Sequence, residues 1–266
     1  MEFSELTRQQ IENEKNKGSC IIIPFGALEQ HSNHLPVGTD HFIVNKICLE
    51  CSKRSGNKSF LVLPPVSIGF SPHHMLNQGT ITLRIKTIEN LFKDIVKSIS
   101  KHGFTRIVIV NGHGGNSSIM KSLVNDFVAN HNIGITAIDY WEPSRKKWKK
   151  LLKGKFKSIG HACELETSLQ MFLRGKVFAK NLIPKIKNLP PRLNQPFVYK
   201  NDLDIYTSVN AAMSPIFTSN DCGYYGDPAA GTYLTGEKIF NIIVEELKNF
   251  IVEFLKVKIV TNEGIK

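Results

Sequence analysis

Long apolar runs, linkers and composition breaks are all missing from this sequence of 266 residues. No stretch approaches the roughly 20 consecutive apolar residues that a membrane-spanning helix needs. The first 17 residues are charged and polar, unlike the apolar centre of a signal peptide. A hydrophobic content of 41% is enough for a sizeable core. We therefore expect one domain over residues 1–266 and no membrane partner.

Cysteine is scarce and odd in number. The five cysteines are Cys20, Cys48, Cys51, Cys163 and Cys222, so they cannot all form pairs within one chain. This count disfavours a disulfide scaffold. Because free thiols are typical of reducing compartments, the sequence predicts a cytoplasmic protein.

Acidic residues are missing from the segment Arg145–Lys157, which carries eight of the basic residues behind the net charge of +11. In one interpretation, this basic segment neutralises phosphate groups of RNA or of an anionic metabolite. In the other, it is a solvated connection that apolar side chains such as Trp148 and Leu152 dock onto the protein. No RNA-binding motif accompanies it, so we expect no nucleic-acid partner and keep an anionic small molecule open.

Apolar residues follow two alternating periods along the chain, one typical of buried strands and one of amphipathic helices. The predicted strands are Ser19–Phe25, Phe60–Val66, Arg106–Val110 and Ile133–Tyr140, and the predicted helices include His41–Ser52, Thr87–His102, Glu164–Leu173 and Gly236–Val257. Asn116 is a candidate N-cap for a further helix, and residues 176–221 give only weak signals. The alternation predicts an α/β fold with a mostly parallel sheet covered on both faces, and ligands at the carboxyl ends of its strands.

Ligand-type side chains follow two of these predicted strands. Glu29 and His31 come after the first strand and are two residues apart, so in an extended segment they leave on the same face. Asp40 follows across a short loop. His113 lies just past the strand Arg106–Val110, among glycines that leave room beside its imidazole. Two carboxylates and two imidazoles suit zinc, manganese or iron(II), so the sequence predicts a divalent metal site.

Four segments resemble the creatininase (creatinine amidohydrolase) family: PFGALEQHSNHLPVGTD, GFSPHHMLNQGTITL, IVNGHGGN and HACELETS. A weaker fifth segment, GYYGDPAAGTYLTGEK, follows, and the five span residues 24 to about 238 in the family's order. The resemblance implies a three-layer α/β/α domain with one or two metal ions per subunit. It also implies homo-oligomers, often hexamers, and hydrolysis of cyclic or linear amides.

The resemblance assigns the metal to the four residues already singled out. Glu29, His31, Asp40 and His113 would be the ligands, and Asp40 would lie between two ions. The reaction would use a metal-activated water molecule, because a divalent ion lowers the pKa of bound water toward neutrality.

His161 resembles the family's proton-transfer histidine, and Glu166 resembles an acidic residue of the same site. A histidine has a suitable pKa range for protonating the leaving amine. Glu166 comes five residues later, so the two side chains converge only if His161 precedes the helix, and Glu164 is the alternative partner. The resemblance also favours His74, with Ser71 nearby, as a substrate-binding residue; a solvated loop is the alternative.

The sequence departs from the family at a few positions. Gly115 stands where creatininase proper has a glutamate ligand of the second metal, a role that Glu166 could take over. Cys163 replaces a usual glycine, and Ser32–Asn33 replaces a usual Gly-Pro pair. The HGGN form is similar to family branches that deformylate a pyrimidine nucleotide precursor or trim peptide-derived cofactors.

Together these features predict a metal-dependent amidohydrolase that cleaves a non-peptide amide or formamide. Its partner would be a small-molecule amide of anionic character rather than creatinine. Two alternatives stay open: a catalytically silent metal-binding oligomer of the same fold, and creatinine amidohydrolase proper.

Overall fold

A computed structural model describes residues 1–155, 159–175, 180–183, 223–261 and 264–265. Most of the weakly patterned segment 176–221 lies outside these residues.

Four parallel strands form the central sheet: β1 (Cys20–Phe25), β2 (Phe60–Val62), β3 (Arg106–Asn111) and β4 (Gly134–Asp139). Their order is β2-β1-β3-β4. Phe25 pairs with Asn111, and Asn111 pairs with Asp139, so three strands end side by side. The chain leaves β1 toward one side for β2 and returns on the other side as β3. Such a reversal opens a crevice at the carboxyl edge of the sheet.

Helices cover both faces of this sheet. One face carries α1 (Arg8–Asn16), α3 (Ile85–Lys101) and α4 (Ser117–Asn130), and the other carries α2 (Thr39–Lys53), α5 (Arg145–Trp148), α6 (Glu164–Arg174) and α7 (Tyr233–Lys256). Cys20 and Ile22 point into the core on one face, while Ile21 and Ile23 point into the core on the other. The predicted three-layer α/β/α fold is confirmed. A short antiparallel pair, β5 (Val260–Thr261) and β6 (Gly264–Ile265), follows α7.

Helix α3 shows how the apolar period produces this packing. Ile88, Phe92, Val96 and Ile99 recur every three or four residues, and all four are buried. Each such side chain contributes about 1.5–3 kcal/mol when it leaves water. Just beyond the helix, Gly103 turns the chain with a φ of 90°, which favours glycine.

Most element boundaries differ from the sequence prediction by one or two residues, and two of them differ by more. Strand β2 ends at Val62 rather than Val66. Pro64 and Pro65 follow and cannot donate ladder hydrogen bonds, so Val66 forms only an isolated bridge with Phe25. Helix α7 begins at Tyr233 rather than Gly236, because the Thr232 side chain accepts a hydrogen bond from Thr235 N at 3.1 Å and caps the helix.

The described part of the basic segment is docked by its apolar side chains. Trp148 is fully buried, and its indole N–H donates to Trp141 O at 2.8 Å. Leu152 is buried beside it. Lys147 forms an ion pair with Glu246 of α7 at 2.6 Å.

Within the described residues, none of the helices is both long and apolar enough to cross a bilayer.

Glu14 links α1 to the segments that precede β1 and β2 through hydrogen bonds. Its contribution to the free energy of unfolding can be measured. Its carboxylate accepts hydrogen bonds from Ser19, Ser59 and Lys17. Burial alone would raise its pKa, but these donors outweigh burial and lower the pKa of Glu14 from 4.5 to about 2. Since the folded pKa is depressed, the ionised carboxylate stabilises the fold above about pH 4.5 and loses this effect as pH falls toward 2.

We expect Glu14→Gln to lower the free energy of unfolding by about 2 kcal/mol at pH 7, a typical value for hydrogen bonds to a charged group. The difference from the unmodified protein should shrink at pH 3. Urea unfolding at both pH values measures it, with the exposed Glu12→Gln on the same helix as control. An equal loss at the two pH values, or an equal loss in the control, would contradict this explanation.

Candidate metal centre

A cavity of about 550 Å³ opens where β1, β3 and β4 end. Its wall includes Glu29, Asp40, His113, His161 and Glu166. Glu29 follows β1, Asp40 lies in the first turn of α2, and His113 lies two residues past the end of β3. The strand ends thus gather residues that are far apart in the sequence.

Asp40 lies between two imidazoles. Its Oδ1 is 3.1 Å from His31 Nε2, and its Oδ2 is 3.2 Å from His113 Nδ1. Glu29 Oε1 is also 3.2 Å from His113 Nδ1, and Glu166 Oε1 is 3.5 Å from His31 Nε2. All five residues are buried. The structure therefore brings together the five side chains that the sequence analysis associates with the metal.

The far side of each imidazole fixes where its ring proton sits. His31 Nδ1 is 3.1 Å from Glu29 O, and His113 Nε2 is 2.9 Å from Phe70 O. A main-chain oxygen only accepts hydrogen bonds, so in a neutral ring these nitrogens carry the proton and donate. The opposite nitrogens then present lone pairs to the carboxylates. Metal-binding histidines have this arrangement, with one nitrogen donating to a carbonyl and the other facing the ion.

The carboxylates make this buried cluster strongly electronegative. Burial raises the pKa of Glu29. Burial would lower the pKa of His31 and of His113, but the neighbouring carboxylates outweigh burial. Glu29 and Asp40 raise the pKa of His113 to about 10. Asp40 and Glu166 raise the pKa of His31 well above its usual value. Among the described residues, Glu29 Oε2 finds no hydrogen-bond partner. The cluster requires either extra protons or a cation.

The spacing of the donor atoms fits a cation. Two ligand atoms that are each about 2.1 Å from an ion, at a roughly tetrahedral angle, lie about 3.4 Å apart. The nitrogen–oxygen distances among His31, Asp40 and His113 and their carboxylate neighbours are 3.1–3.5 Å. Donor atoms of Glu29, His31 and Asp40 all lie within 4.8 Å of one another. The oxygen and nitrogen donors fit a divalent metal.

Gly115 has no space for a side chain. A Cβ at this position would overlap Phe70 O and His113 Nε2 and would lie 3.0 Å from His73 Cε1. The hydrogen bond that orients His113 therefore occupies the space that a side chain at residue 115 would enter. The backbone around residue 115 thus leaves no room for the glutamate that creatininase proper has there. Glu166 brings a carboxylate to His31 from another direction.

Helix α6 positions Glu166 through its first turn. Glu166 Oε2 accepts a hydrogen bond from Cys163 N at 3.1 Å, which leaves Oε1 directed at His31. Glu164, the alternative partner for His161, accepts hydrogen bonds from Lys153 N and Gly154 N, each at 2.8 Å. Its carboxylate is thus used to hold the basic segment.

His161 precedes α6, which is where convergence with Glu166 would require it. The pairing of the two side chains stays a prediction, since Glu166 contacts His31 and His161 contacts Glu29. Its backbone forms a two-way bridge with Tyr225, with N to O distances of 2.9 and 2.7 Å. The side chain places Nδ1 3.4 Å from Glu29 Oε1. Ala162 has a φ of 47°, an uncommon value for a residue with a Cβ, and redirects the chain into the helix.

Ser71 and His74 lie behind the metal cluster and are both fully buried. Ser71 Oγ is 3.3 Å from His113 Nε2, and His74 Nε2 is 3.4 Å from Glu29 Oε1. Their predicted contact with substrate stays a prediction, since the residues that line the cavity do not include them.

Other polar residues of the site were not identified by sequence reasoning. Asn116 occupies the predicted N-cap position, but its side chain does not cap the helix. Its Oδ1 instead accepts from Phe70 N at 2.9 Å, and its Nδ2 donates to Gly26 O at 3.0 Å. Asn111, the last residue of β3, donates to Asp139 at 2.7 Å. One hint in the sequence indicates that these two residues belong to the site: Asn111 and Asn116 flank His113 in the Asn-Gly-His-Gly-Gly-Asn run.

The outer wall of the cavity carries charges of both signs. Lys121 of α4 lies 3.9 Å from Asp139, and Arg145 lies 3.1 Å from Glu142. All four line the cavity. Within the described part of the basic segment, Arg145 is the residue that reaches the wall.

Known proteins match this chain in both sequence and fold. The creatinine amidohydrolase family matches residues 4–251. The mycofactocin precursor peptide peptidase of Mycobacterium ulcerans is 28% identical over 238 residues, which are 85% of this chain and 82% of that protein. The 2-amino-5-formylamino-6-ribosylaminopyrimidin-4(3H)-one 5'-monophosphate deformylase of Methanococcus maripaludis is 32% identical over 130 residues, 47% of this chain and 56% of that protein.

A solved structure of creatininase with manganese has the same fold. It superposes with a TM-score of 0.79 at 22% identity and covers 96% of this chain and 99% of its own. The family match spans all the residues of the metal cluster. The chain belongs to the creatinine amidohydrolase family and is a metal-dependent amidohydrolase.

Proposed function

We propose that this protein hydrolyses the amide or formamide bond of a small anionic molecule, with His161 as the group that moves the proton. The observation that carries the proposal is the convergence of imidazole lone pairs and carboxylates beside a cavity of about 550 Å³, a size typical of small-molecule sites. A catalytically silent relative would be expected to lose part of this set.

Five residues would hold the metal. His113, Glu29 and one oxygen of Asp40 form one group, and His31, Glu166 and the other oxygen of Asp40 form a second. Asp40 would then serve two ions, and Glu166 would supply the carboxylate that is missing at Gly115. When bound, the metal supplies Lewis acidity, which polarises the scissile carbonyl and makes a water molecule more acidic.

The protein's own groups would manage the proton. The oxygen of water forms a bond to the carbonyl carbon, the carbon–nitrogen bond breaks, and the leaving nitrogen needs a proton. His161 Nδ1 points toward Glu29 at the metal cluster, so it can take the proton from water and deliver it to the leaving nitrogen. Burial of the cluster keeps bulk water away from this exchange.

The basic side chains in the outer wall of the cavity are the reason for proposing an anionic substrate. Lys121 and Arg145 both line the cavity and can approach a phosphate or carboxylate on a substrate whose amide reaches the metal. The deformylase relative acts, by its name, on a ribosyl 5'-monophosphate. Creatinine carries no such group, so we expect it to be a poor substrate.

Four finer properties are also proposals: the metal, the number of ions, the oligomeric state and the cellular location. The metal would be zinc, manganese or iron, since the donors are nitrogen and oxygen. One or two ions would bind per subunit. We further expect a homo-oligomer, a hexamer by family resemblance, in the cytoplasm.

Asp40 provides a test of metal binding. Asp40→Asn keeps the side-chain shape but removes the charge between His31 and His113, so we expect metal affinity to fall by more than the roughly 10–100-fold that loss of a supporting residue costs. Metal content after dialysis and amide turnover should be lost together. Glu142→Gln, which changes a carboxylate on the outer wall, should keep the metal. Full metal content in Asp40→Asn would reject the assignment of this residue.

A substitution of His161 separates proton transfer from metal binding. His161→Ala should keep the bound metal and lower kcat by about 10²–10⁴-fold, the range for one general acid–base group. His102→Ala, an exposed histidine beyond α3, should change neither quantity. If His161→Ala emptied the metal site, His161 would have to be reassigned as a ligand.

Lys121 and Arg145 provide a test of the substrate class. Lys121→Gln and Arg145→Gln should each raise KM for a phosphate-bearing formamide by about 10-fold, with a smaller effect at high salt because the contact is electrostatic. Lys150→Gln, an exposed change within the basic segment, should leave KM unchanged. Efficient creatinine turnover that is indifferent to Lys121 and Arg145 would show the proposed substrate class to be wrong.

A further inference from the structure

Gln30 lies between two histidines of the site, although its residue type is not that of a metal ligand. Its side-chain Nε2 is 2.9 Å from His74 Nδ1 and 3.0 Å from His161 Nε2. The residue is 5% exposed. Its neighbours along the chain, Glu29 and His31, point into the metal cluster.

The orientation of the Gln30 amide is fixed by its surroundings. Ser32 N donates a hydrogen bond to Gln30 Oε1 at 2.9 Å, so the oxygen faces Ser32 and the NH₂ group faces the histidines. Ser32 has a φ of 56°, which bends the chain back so that this contact can form. On the same side, a Cβ at Gly223 would overlap Gln30 Oε1, so the backbone there closes over the amide.

The ring proton of His161 follows from one short contact. His161 Nε2 is 2.6 Å from the main-chain oxygen of Gln30. Two lone pairs would repel strongly at this distance, so Nε2 carries the proton and donates it to the carbonyl. His161 Nδ1 is then the basic nitrogen, and it faces Glu29 Oε1 at 3.4 Å.

His74 has the opposite arrangement. Because His161 Nε2 already carries a proton, the amide N–H of Gln30 is directed to His74 Nδ1, which accepts it. A neutral His74 therefore carries its proton on Nε2, which lies 3.4 Å from Glu29 Oε1, within ion-pair distance but outside hydrogen-bond geometry. One imidazole thus presents a donor, and the other a basic nitrogen, to the same carboxylate oxygen.

We propose that Gln30 is a positioning residue that holds His74 and His161 in opposite tautomers. His74 then turns the positive end of an N–H toward Glu29, and His161 keeps Nδ1 ready to receive a proton. The catalytic part of this inference rests on the proposed amide hydrolysis. The tautomer part does not, and it gives His74 an electrostatic role beside Glu29 instead of a contact with substrate.

Nitrogen-15 NMR of zinc-loaded protein labelled at histidine tests the inference, because protonated and unprotonated ring nitrogens have very different shifts. We expect His74 as the Nε2–H tautomer and His161 with Nε2 protonated. In Gln30→Glu an acceptor replaces the NH₂ group, so His74 should change to the Nδ1–H tautomer. Zinc should stay bound, and kcat should fall by about 10–100-fold with little change in KM.

Gln170→Glu is the matched control, since Gln170 is a buried glutamine of α6 whose oxygen accepts from Arg174. It should alter neither the His74 tautomer nor kcat. An unmodified protein with His74 protonated on Nδ1, or an unchanged His74 in Gln30→Glu, would overturn the inference. If Gln30→Glu does not fold, the spectrum of the unmodified protein decides alone. If the tautomers are as expected but the protein hydrolyses no amide, the proposed function is rejected and the tautomer assignment stands.

Discussion

Two main-chain carbonyls determine the chemistry of this site. Glu29 O and Phe70 O each accept the ring proton of an imidazole, so His31 and His113 turn their other nitrogens toward Asp40, Glu29 and Glu166. Like charges within a few ångströms of one another in a dry interior are costly, because the low dielectric strengthens their repulsion. The cluster is stable as a unit only when positive charge lies among the carboxylates, and the lone-pair directions favour an ion over extra protons.

The sheet makes this cluster possible by its register and its close packing. β1, β3 and β4 end side by side, which brings Glu29 and His113 to one edge. α2 approaches this edge closely because Gly26 and Gly112 have no side chains; an added Cβ would lie 2.5 Å from His41 Cα or 2.8 Å from Val44 Cβ. That close approach is what delivers Asp40, in the first turn of α2, to a position between the two imidazoles.

Much of the fold and of the metal cluster could be predicted from the sequence, since both depend on short-range patterns. The apolar periods predicted the strands and the main helices, and Glu29, His31, Asp40 and His113 had recognisable ligand types at strand ends. The hydrogen-bond network around them was not predictable. The side chains of Asn116 and Gln30 make contacts that depend on tertiary geometry, and neither residue type indicates its role. Likewise, Glu164 and Glu166 share the first turn of α6, and only the packed structure shows that Glu166 meets His31 while Glu164 holds the basic segment.

We propose that the lone pairs and carboxylates at this edge hold a divalent metal. Anomalous X-ray diffraction from crystals grown with zinc or manganese, collected on both sides of the metal absorption edge, tests it most directly. We expect an anomalous peak within about 2.0–2.2 Å of His113 Nδ1 and of an oxygen of Asp40. Where two ions bind, a second peak should lie beside His31 and Glu166. A fully loaded crystal whose only peaks lie away from these residues would contradict it.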